Sequence, residues 1–280
     1  MIPLTDPTKL DTLPTSKNLS GYKRFLVSLV KARNTLRGCG LTNNATDATN
    51  DIDFAAGYCT DIDDGVVLVC TAMTKRLDAA WAAGTGNGGL DTGSIANTTY
   101  HCWAITTAKG IQDWLFSTSA TAPTMPTGYT VKRRVGAFRR TGGAIVLFVQ
   151  DGDEFKISVP TKDINVTNPG TAAVTRTLSV PTGIKVWALL TLFAYDNDLT
   201  ALRDVHHYWS ALSQTDTAAS TNLFDIHTHT EVGVRSYDSV FRAIITNTSA
   251  QIRSRCDVSD VNVSQQIVTH GWIDRRGRDD

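Results

Sequence analysis

The sequence is almost devoid of glutamate: of its 27 acidic residues only Glu154 and Glu231 are glutamates, and the other 25 are aspartates. Glutamate is a good helix former, whereas aspartate suits turns and threonine, which occurs 39 times, suits half-buried strands. The scarcity of glutamate therefore excludes a mainly helical protein or a coiled coil. It also argues against an ordinary α/β enzyme, whose surface helices normally carry Glu and Lys.

Long apolar runs and a net charge are also missing. No stretch of about 18 apolar residues occurs, so the sequence predicts no membrane span. The start MIPLTDPTKL has an early acid and no apolar core, so we expect no signal peptide. The 27 basic residues balance the 27 acidic ones, which leaves no overall attraction to nucleic acid. The first three blocks of fifty residues nevertheless carry +4, −5 and +5, which predicts complementary surfaces for assembly.

What is present is a long series of short strand-like segments. Runs rich in Val, Ile and Phe, such as GVVLVCTAM and GGAIVLFVQDGDEF, are separated by turns of Gly, Asp, Asn and Thr. This pattern predicts an all-β protein with two β-sandwich or jelly-roll-like modules, over residues 51–155 and 156–280. Residues 1–50 are predicted to be an N-terminal arm and linker. Their apolar segment either begins the core or docks onto a neighbouring subunit.

The sequence has five cysteines, an odd number that cannot all pair within one chain. None has the C-x-x-C spacing of a typical zinc site, so the sequence predicts no zinc site. Two interpretations remain open, buried free thiols or covalent cross-links that include some between subunits. The residues concerned are Cys39, Cys59, Cys70, Cys102 and Cys256.

Two histidines in the segment DIHTHTEV are candidate metal ligands. His227 and His229 would point to one face of a strand, about 7 Å apart. One chain offers only two nitrogens, too few for a closed site, but three chains around a threefold axis would offer six. A metal site is therefore predicted only in a trimer, and the alternative is ordinary strand histidines. His206 and His207 would point to opposite faces of their strand and make a poor pair of ligands.

A basic cluster follows the extended, proline-containing segment near residue 125. Residues 51–100 are acidic, so the cluster could pair with them within the chain or across a subunit contact. A site for a polyanion is the alternative. The predicted contact surface comprises Tyr129, Arg133, Arg134, Arg139 and Arg140.

No pattern of residues indicates catalysis. The glycine-rich run GTGNGG at 84–89 lacks the Lys-Ser/Thr of a phosphate-binding loop and is predicted to be a surface loop. No G-x-S-x-G motif is present, and with 25 aspartates no carboxylate pair stands out. We therefore expect a protein that is not an enzyme and that binds no cofactor.

Residues 72–155 resemble a module of tailed-bacteriophage virion proteins. The motifs are TKRLDAAWAAGTGNGGLDTGSIANTTYHCWAI, then DWLFSTSATAPTMPTGYTVKRRVGAF, then GAIVLFVQDGDEF, and they occur in the same order as in that family. The later segments SVPTGIKVWALL and VTHGWIDRR are similar more weakly. The cysteines depart from the family pattern. Three tryptophans of the module, Trp81, Trp103 and Trp114, are expected either to anchor its core or, if exposed, to contact a sugar or protein.

The resemblance implies a structural component of a virion, of the tail, collar or fibre and spike type, made in the host cytoplasm. It further implies a homo-oligomer, with a trimer expected first, and other virion proteins of the neck, tail or fibre as partners. A receptor-binding module that contacts host surface glycans is the alternative, and a spike-type glycan hydrolase is the third. Nucleic acid is not an expected partner.

Overall fold

The computed structural model describes residues 34–63 and 65–278. Every regular element in this part of the chain is a β-strand, so the predicted all-β fold class is confirmed. Among these residues no helix is long and apolar enough to cross a membrane. Residues 1–33 of the predicted N-terminal arm lie outside the described residues.

The first eleven strands form two sheets. One has three strands in the order β1-β4-β5, and the other has eight in the order β11-β10-β8-β9-β7-β6-β3-β2. Because β1 pairs with β4 and β2 with β3, the end of the predicted arm is part of the folded sheets. The strands are β1 (Leu36–Gly38), β2 (Leu41–Asn43), β3 (Asp51–Phe54), β4 (Gly57–Thr60), β5 (Val67–Cys70), β6 (Met73–Ala80), β7 (Gly88–Leu90), β8 (Thr99–Thr107), β9 (Gln112–Ser117), β10 (Tyr129–Thr141) and β11 (Ala144–Ile145).

The last nine strands form two further sheets. A five-stranded sheet has the order β12-β13-β20-β15-β18, and a four-stranded sheet has the order β14-β19-β16-β17. The predicted module boundary at 155/156 falls inside β13, whereas the change of sheets comes between β11 and β12. The strands are β12 (Phe148–Asp151), β13 (Glu154–Thr167), β14 (Val174–Thr177), β15 (Trp187–Asp196), β16 (Arg203–Ala211), β17 (Ile226–Thr230), β18 (Ser236–Ile245), β19 (Gln251–Cys256) and β20 (Val263–Ile273).

Two short hairpins follow directly from their turn residues. β10 and β11 pair up to Thr141 and Ala144, so the connecting loop is Gly142–Gly143. Both glycines have positive φ, 59° and 87°, which is the backbone that a two-residue turn between twisted strands requires. The Asp-Gly sequence at 151–152 makes the next hairpin, between β12 and β13.

Buried side chains from all four sheets form one hydrophobic cluster. Its aromatic members stack in pairs: Phe54 lies 4.4 Å from Trp114 and Phe155 lies 5.4 Å from Trp272, both measured between ring centroids. Truncating such a side chain typically costs about 3–5 kcal/mol of stability. The fully buried Trp114 is thus an anchor of this core. Trp103, with 2% of its surface exposed, belongs to a smaller second cluster, against which the partly buried Trp81 packs.

Candidate functional site: an aromatic sheet face and a histidine cluster

One face of the five-stranded sheet presents aromatic side chains to solvent along β15 and β18. Alternate residues of β15 from Ala188 to Asp196 are buried. On the other side Leu189 is also buried, whereas Trp187, Phe193 and Tyr195 are at least partly exposed. We call the exposed side the aromatic face. It comprises Trp187, Phe193, Tyr195, Tyr237 and Phe241.

The aromatic face is continuous across the two strands. Tyr195 lies opposite Tyr237 in the ladder, and the ring of Phe193 stacks on Tyr237 with centroids 6.5 Å apart. Tyr237 is 74% exposed, Phe241 61% and Trp187 42%. Large contiguous apolar patches are uncommon on monomeric proteins and mark interaction surfaces.

The aromatic face carries no charge along these strands, and it lies at the edge of its sheet. The five alternate positions of β15 and their five partners on β18 hold only apolar, aromatic, Thr and Ser residues. Since β18 is the last strand of the sheet order, its outer backbone edge has no neighbouring strand in that sheet. In the sequence, the signal for this face is the even spacing of aromatic residues in TLFAY and SYDSVF, which places them on one side of each strand. The spacing does not show whether that side faces the core or the solvent.

The two predicted histidine ligands do share a face, and the structure adds neighbours that sequence spacing could not supply. In the pairing of β16 with β17, Asp204 lies opposite His229 and His206 lies opposite His227. These four residues are the histidine cluster. His207 points to the other side and is completely buried, as the sequence predicts for adjacent strand residues.

Two histidines of the cluster share one carboxylate oxygen. His227 Nε2 lies 2.7 Å and His229 Nδ1 lies 2.6 Å from Asp204 Oδ1. Both contacts lower the pKa of Asp204, and the contact with His229 has the larger effect. The ring of His206 stacks on His227 at 4.9 Å, and its Nδ1 lies 2.6 Å from Asp257 Oδ2.

The histidine cluster offers three ligand atoms from a single chain. The donor atoms of Asp204, His227 and His229 all lie within 4.8 Å of one another, on exposed side chains. Two imidazoles and one carboxylate form a ligand set for a divalent transition metal that leaves coordination positions open. The trimeric arrangement predicted from the sequence counts two ligands per chain, whereas here three converge without a second subunit.

The predicted contact surface around the basic cluster is largely interior, which corrects that prediction. Arg133 and Arg134 are 1% and 4% exposed, and Tyr129 is 8% exposed and packs against Trp81. Arg139 and Arg140 are partly exposed.

One arginine of this strand pairs with a carboxylate in the C-terminal part of the chain. Arg134 makes a bidentate ion pair with Asp274, at 2.7 Å and 2.9 Å. A bidentate arginine–carboxylate pair is among the stronger polar contacts in proteins. The cluster is thus used to join two distant parts of the chain.

All five cysteines are buried, and none is in a disulfide. The structure thus agrees with the interpretation as free thiols and supports none of the predicted cross-links, because no cysteine of the set is at the surface. The residues are Cys39, Cys59, Cys70, Cys102 and Cys256.

The glycine-rich loop at 84–89 is held by a buried ion pair that sequence reasoning missed. Lys75 Nζ lies 3.0 Å from Asp113, and both side chains are buried. Lys75 Nζ also donates to the carbonyl oxygens of Ala82 and Gly84, at 2.7 Å and 3.2 Å, while Asp113 accepts from the Gly84 N–H. Because Lys75 Nζ binds Asp113 and these two carbonyl oxygens, it holds the loop in place and is not available to bind a phosphate.

No family model and no curated protein matches this chain. Among solved structures, a Cry1Da tryptic core variant from Bacillus thuringiensis is 8% identical over 85% of this chain, with a TM-score of 0.18. The chain spans about half, 51%, of that protein. The VP2 subviral particle of infectious bursal disease virus is 10% identical, covers 91% of this chain and 87% of its own, and has a TM-score of 0.15. Scores this low support no argument about fold or function.

Proposed function

We propose that the protein is a non-enzymatic structural component of a bacteriophage virion, of the tail, collar or fibre type, that assembles as a homo-oligomer. The aromatic face is the observation that carries the proposal. The cores of protein interfaces are depleted of charge and enriched in aromatic residues, as this face is. The resemblance of residues 72–155 to phage virion modules supports the virion part of the proposal, and a trimer is the first expectation.

The partner on the aromatic face is a second copy of this chain. A surface without charge cannot select an oppositely charged partner, but it is complementary to its own copy. The free edge of β18 lies alongside it and offers backbone donors and acceptors for a further strand. One symmetric or cyclic contact between copies would cover the aromatic face and pair the edge of β18.

Light scattering and sedimentation on the full-length protein test this assembly. We expect an oligomer for the wild type, and a monomer for the double variant Tyr237→Ser/Phe241→Ser, because truncating a central aromatic costs about 2 kcal/mol or more. The control is Val159→Ser/Val261→Ser, which removes apolar side chains that are 77% and 74% exposed elsewhere. It should remain oligomeric.

Two outcomes would count against the proposal. A wild type that is a monodisperse monomer and binds no other virion protein contradicts a structural role. A monomer that binds host cells or a glycan array, with binding lost in the Tyr237 and Phe241 variant, would identify the aromatic face as a receptor-binding surface instead.

A further inference from the structure

Three of the five buried thiols converge at one point. Cys39 follows β1, Cys59 lies in β4 and Cys70 lies in β5, and their Sγ atoms are all within 4.8 Å of one another. None of the three side chains is more than 3% exposed. They form a compact group of soft ligand atoms that is separate from the histidine cluster and unused by the proposed assembly.

The pairing of the three-stranded sheet brings the thiols together. Gly57 lies opposite Cys70 and Cys59 lies opposite Leu68, so the two cysteines share a face and are diagonal neighbours. Cys39 reaches the same face through a left-handed backbone, with φ of 53°. A Cβ on Gly57 would lie 2.8 Å from Cys39 Sγ, so glycine at this position leaves the room that the thiol occupies.

A buried positive charge lies beside the thiols. Arg276, 5% exposed, donates to the carbonyl oxygens of Val135, at 2.5 Å, and of Gly38 and Cys39. No carboxylate of the described residues forms an ion pair with it, and Asp274 is engaged with Arg134. Asp274 and Asp153 act on Arg276 electrostatically, but its guanidinium donates its hydrogen bonds to neutral carbonyls, so a further negative charge nearby would stabilise it.

We propose that Cys39, Cys59 and Cys70 bind a zinc ion through three thiolates. Binding releases the three thiol protons and forms three Zn–S bonds with no change of oxidation state. Three thiolates and Zn²⁺ leave a net charge of about −1, which Arg276 balances. Zn–S bonds of about 2.3 Å place the sulfurs about 3.8 Å apart, within the spread of the thiols here.

The ion would fasten the β1–β2 turn to the β4–β5 hairpin. The fourth position of a tetrahedral zinc is left to a donor outside this cysteine set, such as water. The ligand spacing along the sequence, 39, 59 and 70, has no C-x-x-C, which is why the sequence predicts no zinc site. The ligands become neighbours only through strand pairing.

The test is metal analysis of the full-length protein, purified under reducing conditions without chelator. We expect about one zinc per chain at the thiols, lost in Cys59→Ser and in Cys70→Ser. Cys256→Ser is the matched control, since this thiol is equally buried but lies outside the group. Replacement by Co²⁺ should give the intense near-ultraviolet sulfur-to-cobalt absorption of thiolate ligands in the wild type, and this result does not depend on whether a cysteine variant folds.

The variant Asp204→Ala/His227→Ala separates the two clusters. It should keep the cobalt–thiolate absorption and the thiol-bound zinc. Three results would overturn the proposal: a wild type that binds no zinc and shows no such absorption, zinc that is lost only with the Asp204 and His227 variant, or a non-reduced mass two hydrogens lighter than the free-thiol chain, which means a disulfide.

Discussion

His101 and His207 are residues whose ionisation is altered strongly by folding. Both are completely buried, and burial lowers the pKa of each to about 4, because a buried imidazolium would lose its hydration. In the unfolded chain a histidine has a pKa of about 6.5.

This difference predicts a pH dependence of stability. Between about pH 6.5 and 4 the unfolded state binds protons that the folded state does not, so stability is full above pH 6.5 and falls as the pH is lowered. Each histidine accounts for about 3 kcal/mol of that loss. Urea unfolding across this range should show a shallower loss in His101→Gln and in His207→Gln, and the double variant should add the two effects. A wild-type slope in all three variants would contradict the assignment.

At the scale of elements, the close pairing of two strands depends on a glycine at a position where a larger residue would clash. In β20, Gly271 lies opposite Lys156 of β13, and a Cβ there would come within 2.0 Å of the Phe155 carbonyl oxygen. The pairing of β20 with β15 also shifts register next to this glycine, at Leu189/Leu190. The close approach of the two backbones is thus specified by glycine, and it positions Trp272 on Phe155 in the core.

The variant Gly271→Ala is expected to lose about 1–3 kcal/mol of stability, because the methyl group forces β20 away from β13. Gly40→Ala is the control, since the nearest atoms to an added Cβ are 3.9 Å away. Urea unfolding followed by tryptophan fluorescence measures both. Equal stability of the two variants would show that the strands can separate without loss.

For the whole molecule, the N-terminal and C-terminal sheets are joined by polar contacts as well as by the shared core. Arg134 in β10 pairs with Asp274, which follows β20, across 140 positions of sequence. Asp274 Oδ1 also accepts from the N–H of Arg276, at 2.7 Å. Burial by itself would raise the pKa of Asp274, but the Arg134 guanidinium holds it below its ordinary value.

Asp274→Asn should therefore destabilise the fold by about 3–5 kcal/mol, since the charge of Arg134 stays buried without its partner. The comparison is Glu154→Gln, which breaks an exposed contact to Lys156 at 3.4 Å and should change stability by less than about 0.5 kcal/mol. Chemical denaturation at pH 7 gives both values. In the wild type, this stabilisation should be present above the unfolded-state pKa of about 3.9 and be lost as the pH falls below it.

The sequence by itself determined the all-β class, the two-residue glycine turn at 142–143 and the shared face of His227 and His229. Each is a local property, since turn backbone and the period-two alternation of a strand depend on residues a few positions apart. Only the tertiary structure decided that Asp204 joins these histidines, that Arg133 and Arg134 are interior, and that one side of β15 and β18 stays uncovered. The convergence of the three thiols around Gly57 was likewise decided only by the tertiary structure. Strand order and register bring together residues that are far apart in sequence, and no spacing along the chain encodes which strands become neighbours.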